Sequence, residues 1–374
     1  MQCYSLAENL SKEGVHVTVL TGRSKEVGIE TVNPLLKVVR MPYLDYPPRS
    51  VWFQLQNLRT ILGYLMDQDV VHILEPRDSL ILSHLLKRLE KPLVMSIHEV
   101  PRKTLEAIVR NNAISSWSMG DLAYQVLEYP LDNLAFRSSL RNADHIITFG
   151  LQTMLAIKET LQGRNLEVSL IHNGINFDEF KTEAKSQTKS PLVIFCGRLY
   201  LLKGVLHLIK AFSLVTKEIP TAELELFGDG PLKRKIQRLI SELNLEEKVL
   251  LRGFVPHSHL IHEIQRADLM AHPSFIETGP FLAGLEAMAC KRPLVGFNLP
   301  FMREFVHDGR NGLLVQTGNV DELAEKIVLL LSNPELCHKL GENAYEYVKN
   351  NHNWDILVHE YIRLYDDTVS RGKR

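Results

Sequence analysis

The segment PLVIFCGRLYLLKG, residues 191–204, joins an apolar run to two cations and two glycines. The run PLVIFCG has the length and β-branched content of one buried strand, and a helical pattern starts at Val205. Strand, turn and helix in that order make a βα unit, and open α/β sheets place their ligands outside the carboxyl ends of such strands. Arg198 emerges at that edge, and Lys203 follows in the loop to the helix. Two cations beside a helix N-terminus suit a diphosphate: Arg binds it in a fork, Lys acts as a point charge, and the helix dipole adds to both. Each charge-assisted bond of this kind contributes about 1.5–3 kcal/mol. Taken alone, the two residues fit solvated loop charges better than a site.

The same unit recurs along the chain. VHVTVL, LKVVRM, DVVHIL, PLVMSIH, HIITFG and VSLIHNG precede residue 175, and PLVIFCG, AELELFG, KVLLRGF, DLMAHPS, RPLVGFN and NGLLVQ follow residue 190. Such runs alternating with helical patterns predict parallel sheets, whose neighbouring strands need a crossover. The polar segment KTEAKSQTKS, residues 181–190, interrupts the rhythm and reads as a linker between two α/β halves. The expected domains are 1–183 and 191–352, with a closing helix in 353–374. That helix carries Trp354, Leu357, Val358, Tyr361, Ile362 and Tyr365 on one stripe, the pattern of an amphipathic helix packed on a core. The chain opens on another helical pattern, Cys3, Leu6, Ala7 and Leu10, with Gly14 placed to end it. A doubly wound domain starts with a strand, so the first domain is expected to lack its first strand and the chain to be a fragment of a longer one.

A length of 374 residues exceeds most single cores and predicts two domains, and 45% hydrophobic residues suffice to fill both. The formal net charge of −1 excludes a nucleic-acid binder working through bulk charge. Cys3, Cys196, Cys290 and Cys337 have neither the density of a disulfide scaffold nor the spacing of a metal site. No apolar run approaches about 18 residues, and no basic-then-apolar leader opens the chain. A reducing, cytoplasmic setting is expected, with peripheral contact at a membrane face left open. Segment 42–65, which carries aromatics, leucines, Arg49 and Arg59, fits buried packing better than a lipid surface.

A second segment changes the weight of the first. In PSFIETGPFLAGLEAMACKRPLVGFN, residues 273–298, Glu277 lies in a Gly/Pro-containing loop after a strand and Glu286 in the helical pattern that follows. Carboxylates accept hydrogen bonds from sugar hydroxyls and from a ribose diol. Two carboxylates and two cations are what a nucleotide-sugar needs.

Together these segments resemble the retaining glycosyltransferases of family 4, the glycosyltransferase group 1 domain. GRLYLLKG, ELELFGDGP, LLRGFV, EAMAC and MREFVHDGRNGLLV carry the resemblance in the second half, ADHIITFG and LIHNGINFDEF in the first. It runs over nearly the whole chain and is strongest over 191–351. It implies an α/β chain of GT-B architecture, two Rossmann-like doubly wound domains facing a central cleft and closing on the donor by a hinge. It implies transfer of a sugar, with retention, from a nucleotide-sugar to an acceptor hydroxyl on a lipid, a glycan or a small molecule. Arg198 and Lys203, with Gly197, would hold the donor diphosphate, Glu286 the ribose, and Phe254 would lie in the base-binding segment. Glu277 would contact the transferred sugar, backbone amides through Thr278, Gly279, Phe281 and Leu282 would face sugar and phosphate, and His98 would reach the sugar from the first domain. No metal and no other cofactor is required by this reading, and no D-x-D motif lies in a convincing metal loop.

Three features depart from the family pattern. Glu277 and Glu286 stand nine positions apart where the family has eight, and Pro280 removes one backbone donor between them. Lys291 stands where the family has a helix-ending glycine, and a lysine there would cost about 1 kcal/mol if the left-handed geometry is kept. The Gly-rich loop after the first strand is missing. These departures support an alternative, a catalytically silent nucleotide-sugar-binding scaffold, and the fold also hosts epimerases and phosphorylases.

Overall fold

The computed structural model describes residues 2–22, 27–44, 49–101, 129–180, 190–276 and 281–372. They divide into two compact units, one of 2–101, 129–174 and 354–372, the other within 175–353.

The first unit starts with α1 (Gln2–Lys12), which buries Leu6, Ala7 and Leu10. Gly14, at φ 86°, donates to the Ser11 carbonyl at 3.2 Å and Val15 to the Leu10 carbonyl at 3.1 Å. This paired geometry closes the helix and turns the chain into the first strand. β1 (Val17–Gly22), β2 (Gly28–Asn33) and β3 (Leu36–Met41) form one sheet in the order β1-β3-β2. β1 and β3 are parallel, but the strand between them in sequence, β2, runs antiparallel to β3. A hairpin strand thus replaces the expected helical crossover. Its sequence, GIETVN, is mostly exposed, so no apolar run announces it.

α2 (Arg49–Leu65) lies in segment 42–65 and buries Gln54, Asn57, Ile61 and Leu65. The packed reading of that segment holds for these four residues. Then come β4 (Val71–Ile73), a 3-10 turn at Pro76–Ser79, α3 (Leu82–Arg88), β5 (Leu93–Ile97), α4 (Tyr129–Asn142), β6 (His145–Thr148), α5 (Leu151–Leu161) and β7 (Glu167–Leu170). The four strands make a parallel sheet in sequential order, with β5 fully buried inside it. Small hydroxyl residues let α3 and α4 approach: Ser83 and Ser138 bond at 2.9 Å, and Asn142 donates to both at 3.1 Å.

The second unit is one six-stranded parallel sheet. Its elements are β8 (Leu192–Cys196), α6 (Val205–Glu218), β9 (Glu223–Phe227), α7 (Lys233–Glu242), β10 (Val249–Gly253), α8 (His257–Arg266), β11 (Leu269–His272), α9 (Leu282–Ala289), β12 (Leu294–Phe297), β13 (Gly312–Val315), α10 (Val320–Ser332) and α11 (Pro334–Asn351). The order β10-β9-β8-β11-β12-β13 is doubly wound, and its direction reverses between β8 and β11. β8 is buried on both faces. Val193 and Phe195 join a core with Leu208, Phe212 and Ile327, while Leu192, Ile194 and Cys196 join another with Leu285, Met288 and Ala344. Burying a side chain of this size contributes about 1.5–3 kcal/mol.

Residues 175–180, expected with the first domain, pack in the second unit. Ile175 donates to the His352 carbonyl at 2.8 Å and is buried with Phe180 in the core beneath α9. The last helix, α12 (Trp354–Gly372), returns to the first unit and packs on α1 and β5. It buries Trp354, Leu357, Val358, Tyr361, Leu364 and Tyr365. The Tyr365 hydroxyl bonds His72 Nδ1 at 2.7 Å, and His72 Nε2 bonds Ser96 Oγ at 2.7 Å, so this core also closes a polar chain. Among the described residues, no helix is long and apolar enough to cross a membrane.

Candidate active site

The switch point between β8 and β11 collects the loops that follow β8, β9 and β11. Gly197 donates to the Phe227 carbonyl at 2.9 Å, Leu199 to the Asp229 carbonyl at 2.9 Å, and Phe275 to the Leu202 carbonyl at 2.8 Å. Glycines make this closeness achievable. A Cβ on Gly204, which sits at φ 68°, would lie 1.9 Å from the Pro273 carbonyl oxygen, and one on Gly228 would lie 2.0 Å from that of Gly197. On this scaffold Arg198 is exposed with its guanidinium 5.2 Å from the centre of the Tyr200 ring, which restrains it by a cation–π contact. Lys203, half-buried, ends a 3-10 turn at the N-terminus of α6, where Gly204 caps the helix without a side-chain acceptor. Both cations therefore stand in one loop at the carboxyl edge of the sheet, beside a helix N-terminus that favours anions.

Glu286 lies in α9 with its side chain 7% exposed. Its Oε1 is 2.9 Å from Nε2 of His257, the first residue of α8, whose Nδ1 is 3.7 Å from Glu179. The bond to Glu286 raises the His257 pKa above its usual value, and Glu179 adds to the effect. The pair thus favours an imidazolium held between two carboxylates. The sequence reading missed His257. Pro256 marks the helix start, but the partner stands 29 residues away and the pairing is tertiary. Burial pushes the Cys290 thiol up to about 12 and the Cys196 thiol well above its usual value, so neither is a thiolate nucleophile at neutral pH.

Other expected residues fall in different places. Phe254 is 83% exposed just beyond β10, an aromatic face open at the carboxyl edge. The Phe281 side chain is not a ligand group: it is 4% exposed, stacked on Phe305 at 4.5 Å and set edge-on to His272 at 5.0 Å. The expectation concerned the backbone amides of Phe281 and Leu282, and Phe281 sits at φ 48° in the N-cap of α9. Glu277, Thr278 and Gly279 lie outside the described residues. Lys291 has φ 59°, the left-handed conformation expected where the family has glycine, and its ammonium reaches Glu342 at 2.9 Å.

His98 belongs to the first unit, immediately after β5. Its ring stacks on Phe149 at 4.2 Å, and its buried Nδ1 has no hydrogen-bond partner among the described residues. Burial lowers its pKa to about 4, so it is neutral at pH 7 and its 3.7 Å approach to Glu75 is not an ion pair. A neutral imidazole with an unused nitrogen can donate to or accept from a hydroxyl. Among the described residues, no three His, Cys, Asp or Glu side chains group as a metal site would need.

Comparison with known proteins supplies the chemistry. The family described as "Glycosyltransferase Family 4" matches residues 1–179, and that described as "Glycosyl transferases group 1" matches residues 176–347. An uncharacterized glycosyltransferase of Methanocaldococcus jannaschii is 26% identical over 98% of this chain and 93% of its own length. The chain spans only 26%, 40% and 38% of three further curated relatives. Among solved structures, sucrose-phosphate synthase from Thermosynechococcus elongatus is 22% identical, with a TM-score of 0.81 over 99% of this chain and 93% of that one. The Anabaena protein HepE, in complex with UDP-glucose, is 18% identical, with a TM-score of 0.69 over 95% and 100% of the two chains. These likenesses place the fold in the GT-B group.

Proposed function

The chain belongs to the group 1 glycosyltransferases of family 4, and from that premise we propose that it moves a sugar from a nucleoside-diphosphate sugar to an acceptor hydroxyl with retention at the anomeric carbon. The observation that carries this reading is the gathering at one sheet edge of Arg198, Lys203 and the N-terminus of α6, with Glu286 in the adjoining α9. In the proposed step the bond from the anomeric carbon to the diphosphate oxygen breaks, the acceptor oxygen bonds to that carbon, and its proton goes to a diphosphate oxygen. Charge grows on the departing diphosphate, where fixed cations lower the barrier without reorganising. Arg198 and Lys203 are assigned this role, Glu286 the ribose diol, Phe254 the base, and His98 and Glu277 the sugar. No resident metal is required, because two side chains supply the positive charge.

The HepE complex makes UDP-sugars the donors to test first. A lipid or glycan acceptor fits the reading. None of the four cysteines forms a disulfide, which fits a reducing, cytoplasmic setting. The test is release of nucleoside diphosphate from a panel of nucleotide-sugars. Lys203→Ala should lower turnover about 100-fold, the scale of removing one preorganised charge donor. Nucleotide binding with no turnover of any donor would favour the silent scaffold instead.

A further inference from the structure

Glu286 is the one charged residue of α9, LAGLEAMA, and it sits among the buried Leu285, Ala287 and Met288. A carboxylate in such a place costs free energy unless it is hydrogen-bonded. Its partner is His257, the first residue of α8, whose Nε2 lies 2.9 Å from Glu286 Oε1. Replacing a buried ion pair by apolar groups of similar volume is often neutral or stabilising. Stability therefore gives no reason for this pair to be charged, and a role in recognition does.

The pair ends a longer chain of polar groups. His257 Nδ1 lies 3.7 Å from Glu179 Oε2, and Glu179 Oε1 accepts from Asn176 Nδ2 at 3.3 Å. Asn176 Oδ1 in turn accepts from the Asp178 amide at 3.2 Å and so shapes the 3-10 turn Phe177–Phe180. Three elements contribute to this chain, and one core anchors all of them: Phe180 from the turn, Ile261 and Ile264 from α8, and Leu285 and Met288 from α9. His257 is thus placed by the packing of α8 and by Glu179, and it fixes one oxygen of Glu286. A carboxylate has about four acceptor positions, so the bond to His257 leaves capacity for both hydroxyls of a vicinal diol.

We propose that His257 is a positioning residue for the donor's nucleoside, one that orients Glu286 toward the two ribose hydroxyls; this rests on the nucleotide-sugar reading above. Calorimetric titration of the full chain with UDP, ADP and GDP, with their 2′-deoxy counterparts and with pyrophosphate tests it. At least one nucleoside diphosphate should bind, and should lose about tenfold in affinity without its 2′-hydroxyl, the scale of one hydrogen bond to a charged group. His257→Ala should weaken binding of that nucleotide by about tenfold and shrink its preference over the deoxy form, with little effect on pyrophosphate, which has no ribose. His257→Gln, which can still donate to a carboxylate, should restore part of the preference. Because His257 acts through Glu286, adding His257→Ala to Glu286→Ala should cost nothing further. Equal losses for nucleotide and pyrophosphate would make His257 a structural residue, and full 2′-hydroxyl discrimination in His257→Ala, or additive losses in the double variant, would uncouple it from Glu286. Any of these overturns the inference while the donor reading stands. Failure of every nucleoside diphosphate to bind the unaltered chain overturns the donor reading, and the inference with it.

Discussion

In the second unit six parallel strands pair without a break, and β8 at their centre is nowhere more than 4% exposed. In the first unit the strands of the described residues divide between a three-stranded and a four-stranded sheet, and β1, at one end of its sheet, is only half-buried. The two units nevertheless start their strands with the same device. In the first, Asp144 accepts from the Leu93 amide at 2.8 Å while its own amide donates to the Leu93 carbonyl at 2.9 Å. In the second, Asp268 accepts from the Leu192 amide at 2.8 Å and donates to the Leu192 carbonyl at 2.8 Å. Each aspartate follows a buried alanine, Ala143 or Ala267, and precedes a strand. The units are thus alike where strands begin and unlike where they end. One edge presents cations and a Glu–His pair, the other a neutral histidine.

Glycine substitution gives the largest contrast. Gly204→Ala forces a Cβ to 1.9 Å from a backbone oxygen at φ 68°, and should destabilise the second unit by about 3 kcal/mol or more. Gly14→Ala, at φ 86° with nothing within 4 Å, should cost the first unit about 1 kcal/mol. Urea unfolding of both variants measures this, and equal losses would mean that conformation, not crowding, governs both sites. The aspartates should differ less. Asp268→Asn and Asp144→Asn should each lose about 1.5–3 kcal/mol, with the half-buried Asp268 at the upper end and the exposed Asp144 at the lower. A larger loss at Asp144 would break the parallel between the two strand starts.

The histidines give opposite pH signs. His98 has a folded pKa of about 4 against 6.5 unfolded, so the unfolded chain takes up the proton first and stability falls as pH drops from about 6.5 to 4. His257 has a raised folded pKa, so its contribution is complete below 6.5 and is lost as pH climbs through that raised value. His98→Asn should flatten the acid side of the urea-midpoint profile by on the order of 1 kcal/mol, and His257→Gln the neutral-to-alkaline side. An unchanged acid slope in His98→Asn would show that His72, lowered to about 3, and the other buried histidines dominate it. The smallest effect is expected at Lys291→Gly. Relief of the left-handed lysine offsets loss of the Glu342 pair and the greater freedom of an unfolded glycine, and thermal unfolding should register less than about 1 kcal/mol.

Much of this architecture could be read from the residues, because period and punctuation are local. Every apolar run expected as a strand overlaps one, and Gly14 and Lys291 hold the backbone conformations their positions require. β2 escaped because an exposed edge strand needs no apolar face. The cations and Glu286 were legible as types in a spacing, but the partners that fix them were not. His257 meets Glu286, and Gln54 meets Arg77 and Ile81, through contacts formed only after the chain has folded. Phe281 shows the converse, a residue adjacent to a recognisable motif whose side chain serves the core.

The helix that completes the first unit is made after the second unit. Trp354, Leu357, Val358, Tyr361 and Tyr365 share a core with Leu6, Leu10, Val94 and Ile147, so that core cannot close until the residues that follow the second unit have been synthesised. The second unit, whose described residues lie between 175 and 353, has its core synthesised before that helix. Order of birth and order of maturation are therefore reversed, and a nascent chain ending near residue 353 should carry a complete second unit and an incomplete first one.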